Sequence, residues 1–299
     1  MTQTKGIDVS KYQGIIDWAK VASSGVKFVL IRAGFGDDIS QKDAMFDKNM
    51  RGALAHGLHV GAYWFSYAIT VQDAINESKV FKQVLAPYKG KLDFPVGYDY
   101  EYDSITYSIK NGVNPSNVLI NAMAASFLNS MKADGWFVNL YTNNDFIKSG
   151  RFSNTTFISY DIWLADYVGT PSYACGIQQT GSAGFVSGIT GAVDTDIAFK
   201  DYPSIIRAGG YNGFVKPQIV NFKSDTTKDV SVAFGQAYQF KITSAAAIAV
   251  TIGTSGVATL LPRYNLGSDS FYYLVGIGKV GAATGVFVNG IKQFVIRIN

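Results

Sequence analysis

The chain has 299 residues, 47% of them hydrophobic and 16% charged, so it can bury one large core and still supply a second, smaller module. Its single cysteine, Cys175, excludes an internal disulfide, and His56 and His59 are too few to supply the ligands of a structural zinc site. We therefore expect no metal and no cofactor, and any catalysis should depend on carboxylates.

The amino terminus, MTQTKGIDVSKYQG, has neither the basic start nor the apolar run of a secretory signal. No stretch reaches the roughly 18–20 apolar residues that cross a bilayer. We expect synthesis in the cytoplasm without a signal peptide and no membrane partner.

Short β-rich runs alternate with helical patterns over the first two thirds of the chain, which is typical of parallel strands joined by crossovers. Residues 71–85 predict one such helix, with Ala74, Ile75, Ser78, Phe81, Val84 and Leu85 on one stripe. Eight strands are predicted: GIDVS from Gly6, KFVLIRAG from Lys27, HVGAYWFS from His59, FPVGYDYE from Phe94, FVNLYTN from Phe137, DIWLADY from Asp161, CGIQQT from Cys175 and VDTDIAF from Val193. The last three follow one another too closely for full helices, so we predict an incomplete (β/α) barrel of eight strands with about five helices.

A stretch with three Gly and one Pro, AGGYNGFVKP at residues 208–217, predicts a linker. We place the domain boundary there, with a barrel domain at 1–213 and a second domain at 214–299. The runs VSVAF, YQFKIT, AIAVTIG, SFYYLVGIG and KQFVIRIN predict a small all-β sandwich for the second domain. Lys and Arg number 19 and Asp and Glu 19 over residues 1–216, against 7 and 3 over residues 217–299, so the whole net charge of +4 lies in the smaller part.

Two acids near the end of the fourth strand are the strongest catalytic candidates. Residues i and i+2 of a strand face the same side about 6.5–7 Å apart, so Asp99 and Glu101 in VGYDYEYD should project into one space. Like charges this close raise one pKa, which leaves a protonated acid beside an anion, as glycosidic cleavage requires. An Asp-x-Glu alone is also common on solvated strand faces.

Barrels of this type carry their chemistry at the carboxyl ends of the strands. Candidates at or near those ends are Asp8, Tyr63, Phe65, Tyr141, Trp163, Asp166 and Asp194. The pattern alone leaves Asp8 and Asp194 equally open as turn residues.

In chain order these motifs resemble glycoside hydrolase family 25, the muramidases of bacteria and their phages. The resemblance spans residues 4–205 and is carried by KGIDVSKYQGIIDW, FVLIRAGFG, D-x-x-F-x-x-N at Asp43, Phe46 and Asn49, GLHVGAYWFSYA, YDYE, LYTN, WLADY and GITGAVDTD.

The resemblance implies an N-acetylmuramidase that cleaves the β-1,4 bond between N-acetylmuramic acid and N-acetylglucosamine in bacterial peptidoglycan. It implies that Glu101 is the general acid and that Asp99 steadies positive charge or the substrate's acetamido group, with Asp8 and Asp194 as the other two acids. The implied substrate-binding residues are Tyr63, Phe65, Tyr141, Trp163, Asp166 and Gln178, although a packing role remains open for Trp163. A phage endolysin, an autolysin and a spore-cortex lysin all fit, each acting on the wall after release.

Two positions depart from the family pattern: Gln179 follows Gln178 where an aromatic is frequent, and Phe35 stands where a polar ring or an acid is frequent. A chitinase-like barrel is a rival interpretation, but that signature has an acid where this chain has Gly97. A non-catalytic wall-binding barrel is a second rival.

The second domain has no Glu, His or Cys, so we expect it to bind rather than catalyse. Its positive charge suits anionic wall polymers. The alternative is homodimerisation through strand edges or through the face bearing Phe271, Tyr272 and Tyr273, which can equally be core residues. The basic residues are scattered, so we expect no nucleic acid partner.

Overall fold

The structure, a computed structural model, describes residues 3–216 and 221–299. It divides into two compact units, Met1–Pro217 and Gln218–Asn299. Within the described residues, no helix has both the length and the apolar character needed to span a membrane.

The first unit is built on a closed barrel of eight strands, in the order β1 to β8. The strands are β1 Thr4–Val9, β2 Phe28–Phe35, β3 His59–Phe65, β4 Val96–Asp99, β5 Val138–Asn143, β6 Asp161–Ala165, β7 Ile177–Gly184 and β8 Val193–Ala198. The helices are α1 Trp18–Ser23, α2 Phe46–Ala55, α3 Val71–Leu85, α4 Tyr102–Lys110, α5 Asn117–Ala133, α6 Asn144–Lys148, α7 Asn154–Ser159 and α8 Tyr202–Gly209. The predicted barrel is confirmed, and its five longer helices are α2, α3, α4, α5 and α8.

The last strand of the barrel differs in direction from the others. Strands β1 to β7 pair in parallel, whereas β8 is antiparallel to both β7 and β1. Only residues 185–192 join β7 to β8, and a parallel crossover needs a dozen or more residues. The short connection therefore turns β8 back along β7.

Helix α3 forms where the apolar stripe predicts it. Thr70 caps its first turn by accepting the Asp73 amide N–H, and the Asp73 carboxylate accepts the Thr70 N–H in return. The predicted stripe is buried except for Ile75, which is half-buried. Glu77 is also buried on this helix, which the apolar pattern does not predict.

Glycines let large side chains fill the inside of the barrel. A Cβ at Gly6 would lie 2.3 Å from the Phe28 ring, and a Cβ at Gly97 would lie 2.7 Å from the Asn139 side-chain oxygen. Residues that alternate with these on the same strands therefore also face the interior, among them Asp8 on β1 and Asp99 on β4.

The first part of the stretch predicted as a linker, up to Asn212, packs against the barrel. It begins in α8 and continues to Asn212, which is fully buried. The Asn212 side chain accepts the Phe137 N–H at 2.7 Å and donates to the carbonyls of Leu92 and Phe94 at 2.9 and 3.0 Å. These bonds satisfy backbone groups at the amino-terminal ends of β4 and β5. Pro217, the last residue of the predicted linker, lies outside the described residues.

The second unit consists of two four-stranded sheets. Its strands are β9 Phe222–Ser224, β10 Val230–Val232, β11 Ala237–Ser244, β12 Val250–Ile252, β13 Ala258–Leu266, β14 Asp269–Gly276, β15 Ala283–Val288 and β16 Ile291–Ile298. The sheet orders are β10-β16-β15-β12 and β13-β14-β11-β9. Phe240 and Leu274 of one sheet share a core with Val286 and Phe294 of the other. The predicted all-β character is confirmed.

Candidate active site

A cavity of about 310 Å³ opens at the carboxyl ends of the parallel strands, where barrels of this kind carry their chemistry. All four predicted acids line it. The complete lining is Asp8, Val9, Ser10, Tyr12, Gln13, Arg32, Tyr63, Phe65, Asp99, Glu101, Tyr141, Trp163, Tyr167, Gln179 and Asp194.

Strand register sets several of these residues side by side. Phe65 pairs with Asp99, Asp99 with Tyr141, and Tyr141 with Trp163 across β3 to β6. On the other side of the barrel, Asp8 of β1 is directly opposite Asp194 of β8. Two groups of side chains far apart in sequence thus meet in one cavity.

Glu101 lies beyond the strand that was predicted to carry it. Strand β4 ends at Asp99, and Glu101 is the residue that precedes the first turn of α4. Its backbone is still extended, with φ −127° and ψ −168°, and its N–H donates to the Ser104 hydroxyl at 3.0 Å. Extended backbone preserves the i, i+2 relationship, so the two carboxyls still line the same cavity, close enough for Glu101 to raise the pKa of Asp99.

Both carboxyls of this pair hold protons more tightly than usual. Burial raises the pKa of Asp99 well above its ordinary value, and the neighbouring Glu101 raises it further. Burial also raises the pKa of Glu101, with smaller contributions from Asp103 and Asp194. Because the two groups are coupled, their titration steps belong to the pair. The pair therefore gives up its first proton less readily than two isolated carboxyls would.

A second group of carboxyls surrounds Asp8. Burial raises the pKa of Asp8 well above its ordinary value, and Asp196 and Asp194 on β8 add to the effect. Burial likewise raises the pKa of Asp194, and it raises that of Asp196 to about 8. Asp196 does not line the cavity. One of its oxygens accepts the Trp163 indole N–H at 2.8 Å.

Gln179 links the tyrosines on one side of the cavity to the carboxyl group of Asp8 by hydrogen bonds. Its amide nitrogen donates to Asp8 at 2.8 Å, and its amide oxygen accepts from the hydroxyls of Tyr141 and Tyr167 at 3.0 and 3.1 Å. The position where the family pattern has an aromatic therefore carries a hydrogen-bonding bridge in this chain.

Arg32 is the cation at the cavity. Its guanidinium donates twice to one carboxylate oxygen of Asp43, at 3.1 Å each, and the Lys11 backbone N–H donates to the same oxygen at 3.0 Å. The guanidinium also lies 5.0 Å from the centre of the Tyr12 ring. Asp43 begins the D-x-x-F-x-x-N motif, and these contacts give it a bracing role.

Three of the predicted aromatic residues form the inner surface of the cavity. The Trp163 ring packs edge-on against Tyr63 at 5.5 Å and against Tyr141 at 4.7 Å. Trp163 is only 1% exposed, so it contributes to the floor and offers little open ring face to a ligand. Phe65 is more exposed and packs against Tyr67 at 5.1 Å.

Asp166 and Gln178 lie outside the cavity, which does not support their predicted substrate-binding roles. The Asp166 carboxylate accepts backbone N–H groups of Ser172 and Val168 in the loop after β6. Gln178 donates to the carbonyls of Asp166 and Gly169. Side chains alternate along β7, so Gln179 faces the cavity and Gln178 faces away.

Sequence reasoning missed Tyr12, Gln13, Arg32, Tyr167 and Gln179 as cavity residues. Arg32 carried a usable signal, because it is the one charged residue within the apolar run FVLIRAG. A larger cavity of about 650 Å³ is lined by Phe35, Tyr67 and Tyr107 with several acids, but by none of the four predicted ones. Among the described residues, no cluster of three or more His, Cys, Asp or Glu side chains suits a metal ion.

The two histidines lie away from the cavity. His59 contacts the Asp93 carboxylate at 3.0 Å, which Arg207 also contacts at 2.8 Å, and His56 contacts the Gly52 carbonyl.

Comparison with known proteins finds chains that are similar to this one in sequence or in fold. The chain is 29% identical over 201 residues to the autolytic lysozyme of Clostridium acetobutylicum, a match that covers 64% of this chain and 55% of the relative. The modular autolysin LytC of Streptococcus pneumoniae superposes with a TM-score of 0.58 at 24% identity, covering 66% of this chain and 47% of LytC. The chain thus spans about half the length of these two proteins.

A shorter relative matches almost entirely. The bacterial lysozyme of Streptomyces coelicolor superposes with a TM-score of 0.57 at 23% identity over 71% of this chain and 98% of that lysozyme. The sequence model of glycosyl hydrolases family 25 matches residues 7–185, which include three of the four predicted acids and most of the cavity. The chain belongs to glycosyl hydrolases family 25.

Proposed function

We propose that the first unit is an N-acetylmuramidase that cleaves the β-1,4 bond between N-acetylmuramic acid and N-acetylglucosamine in bacterial peptidoglycan. The observation that carries this proposal is the pairing of a buried Asp99 with a half-buried Glu101 at the mouth of the barrel, where the pKa of each carboxyl is raised. Family membership and the autolytic lysozyme among its relatives support the same reaction.

Glu101 is the general acid in this proposal. It is the more exposed member of the pair, so it is the one that meets a glycosidic oxygen entering the cavity and donates the shared proton to it. Asp99, deeper in the barrel, then carries the negative charge that stabilises the oxocarbenium-like transition state or holds the substrate's acetamido group. Asp8 and Asp194 face this pair across the cavity and accept hydrogen bonds from the sugar.

The spacing of the carboxyls supports cleavage with retention of configuration. An inverting pair needs about 6.5–9.5 Å between its carboxyls to admit a water molecule. Glu101 lies close enough to Asp99 to raise its pKa, which favours the closer, retaining arrangement. Attack by Asp99 and attack by the substrate's own N-acetyl group both give retention. A substrate with hydroxyl in place of acetamido separates them, because only the second route then fails.

Purified peptidoglycan tests the reaction. The protein should release fragments with reducing-end muramic acid, and Glu101→Gln should abolish this release while wall binding persists. Asp103→Asn is the matched control, because it removes an acid from the same turn of α4 but from outside the cavity, and it should stay active. Reducing glucosamine or free stem peptides as products would reject the proposal. Cleavage of chitin oligomers in preference to peptidoglycan would favour the interpretation as a chitinase-like barrel.

We propose further that the second unit binds an anionic wall polymer. Its three Asp residues are all engaged: Asp269 with Lys241 at 2.9 Å, Asp229 with Arg297 at 3.6 Å, and Asp225 with the Lys241 backbone N–H. Arg263 has no carboxylate partner among the described residues.

The surroundings of Arg263 suit a sugar phosphate or a similar anion. Its guanidinium lies 4.6 Å from the Tyr273 ring and 5.6 Å from the Tyr264 ring. A cavity of about 450 Å³ is lined by Arg263 and Tyr264 together with Asn265 and Phe271. Tyr264 and Phe271 stack at 4.5 Å, which gives a flat apolar surface beside the cation.

Homodimerisation through strand edges has weaker support. Strand β13 is the long edge of its sheet, but it contains Pro262 and a register shift between Pro262 and Tyr264, both of which hinder edge pairing. Of the three aromatics proposed for an apolar face, Tyr272 stacks on Phe240 in the core, while Phe271 and Tyr273 contact Tyr264 and Arg263.

Pull-down with cell walls separates these two roles. The full chain carrying Glu101→Gln should bind walls, lose binding as salt rises, and bind less when Arg263→Ala is added. Lys228→Ala removes a charge from outside this cavity and serves as control. Salt-independent binding, or binding unaffected by Arg263→Ala, would contradict the proposal. A dimer in sedimentation would support the alternative.

A further inference from the structure

We propose that Asp196 is a positioning residue of the active site, a buried carboxyl that holds Trp163 with one oxygen and Asp8 with the other. This inference rests on the proposed muramidase reaction for its catalytic consequence, but its structural part does not. Asp196 lies beneath the cavity, 2% exposed, and does not line it.

The two oxygens of Asp196 have different surroundings. Oδ1 accepts the Trp163 indole N–H at 2.8 Å. Oδ2 is buried, and no N–H or hydroxyl group of the described residues donates to it. A buried carboxyl oxygen without an N–H or hydroxyl donor is costly unless a proton shared with a second carboxyl links the two. The carboxyl within reach is that of Asp8.

The groups that face Asp196 come from four strands. Gly6 of β1 and Gln179 of β7 pair with it in register, and Gln179 also donates to Asp8. The titratable groups are Asp8 of β1 and Asp194, two residues earlier on β8. Trp163 of β6 contributes only a neutral donor. No cation faces Asp196 among these neighbours, so nothing nearby stabilises its anion.

These contacts make a chain of hydrogen bonds. The Trp163 indole donates to Asp196, Asp196 shares a hydrogen bond with Asp8, and Asp8 in turn contacts Asp194 at the cavity. Burial raises the pKa of all three acids, that of Asp196 to about 8. Asp194 is the member of the chain that lines the cavity. Asp196 also fixes the Trp163 ring, against which Tyr63 and Tyr141 pack.

The indole N–H resonance of Trp163 tests the structural part without any substrate. The chain has four tryptophans, and Trp163→Phe identifies the signal in a proton–nitrogen correlation spectrum. The signal should shift with a midpoint near pH 8, and this step should vanish in Asp196→Asn. Glu77→Gln removes a different buried acid, whose pKa is also about 8, and should leave the step unchanged.

Kinetics test the catalytic part. Asp196→Ala should lower kcat on the order of 10- to 100-fold with a smaller change in KM, since a modest misplacement of reacting groups costs about that much. Asp196→Asn keeps an acceptor for Trp163 and a donor for Asp8, so it should restore most of that loss.

Two results would overturn the inference. One is a Trp163 signal that does not move between pH 6 and 9 or that titrates identically in Asp196→Asn. The other is an Asp196→Asn variant that folds and is as impaired as Asp196→Ala. If the chain cleaves another bond or none, the Trp163 resonance still reports the titration of Asp196. Failure of the proposed muramidase function can therefore be told apart from failure of this inference.

Discussion

Replacing Gln179 with leucine removes the bridge between Asp8 and the tyrosine wall of the cavity. Three hydrogen bonds are lost: the one donated to Asp8 and the two accepted from Tyr141 and Tyr167. Tyr167 is 55% exposed, so water can satisfy its hydroxyl, whereas Asp8 and Tyr141 are buried and are left without these partners.

The magnitude follows from the two buried groups. Each unsatisfied group costs roughly 1–3 kcal/mol, which gives about 2–6 kcal/mol in all. For a unit of this size the melting temperature should fall by roughly 4–24 °C. Because Tyr141 also packs on Trp163, we expect kcat/KM on peptidoglycan to fall on the order of 10- to 100-fold.

Thermal unfolding and the rate of wall lysis, measured on the same preparations, test this prediction. Thr180→Val is the matched control on β7: it removes hydrogen bonds to Thr195 but lies outside the cavity, so it should cost about 1 kcal/mol and leave the lysis rate unchanged. A Gln179→Leu variant with the parent's melting temperature and lysis rate would refute the bridging role.

Three further perturbations test the fold around the site. Gly97→Ala places a Cβ 2.7 Å from the Asn139 oxygen inside the barrel and should cost about 1–3 kcal/mol, seen as a lower midpoint in urea unfolding. Asn212→Ala removes three hydrogen bonds from a residue with φ 56° and should cost about 2–4 kcal/mol in the same assay; an unchanged midpoint would restore the linker interpretation. Burial raises the pKa of Glu77 to about 8, so the folded state binds more protons than the unfolded state. The contribution of Glu77 to the free energy of unfolding is therefore fully present below the unfolded pKa and is lost as pH rises through about 8. Unfolding free energies at pH 5 and pH 8 should therefore differ less in Glu77→Gln than in the parent, and equal differences would contradict the burial argument.

Local patterns in the sequence are enough to predict the barrel and the paired acids. Alternation along β4 is a property of extended backbone, so it places Asp99 and Glu101 together even though Glu101 lies past the last strand hydrogen bond. The apolar stripe of α3 predicts that helix for the same reason, since the burial of one face follows from a period of 3.6 residues.

Features that depend on long-range pairing were missed. Whether Gln178 or Gln179 faces the cavity depends on the register of β7, and an error of one residue exchanges the two faces. The role of Asn212 requires knowing that its side chain meets the start of β5, 75 residues earlier, and the segment before β4, 118 and 120 residues earlier. Its glycine-rich surroundings instead suggested a flexible connection.

The central claim is that Asp99 and Glu101 share a proton at the mouth of the barrel. Carbon-13 NMR of the side-chain carboxyls, followed from acid to alkaline pH, measures this directly. We predict that both signals respond in the same two steps, both raised above the ordinary carboxyl range, and that Asp99→Asn leaves a single raised step for Glu101. Independent titration of both carboxyls near the ordinary value of about 4 would contradict the account.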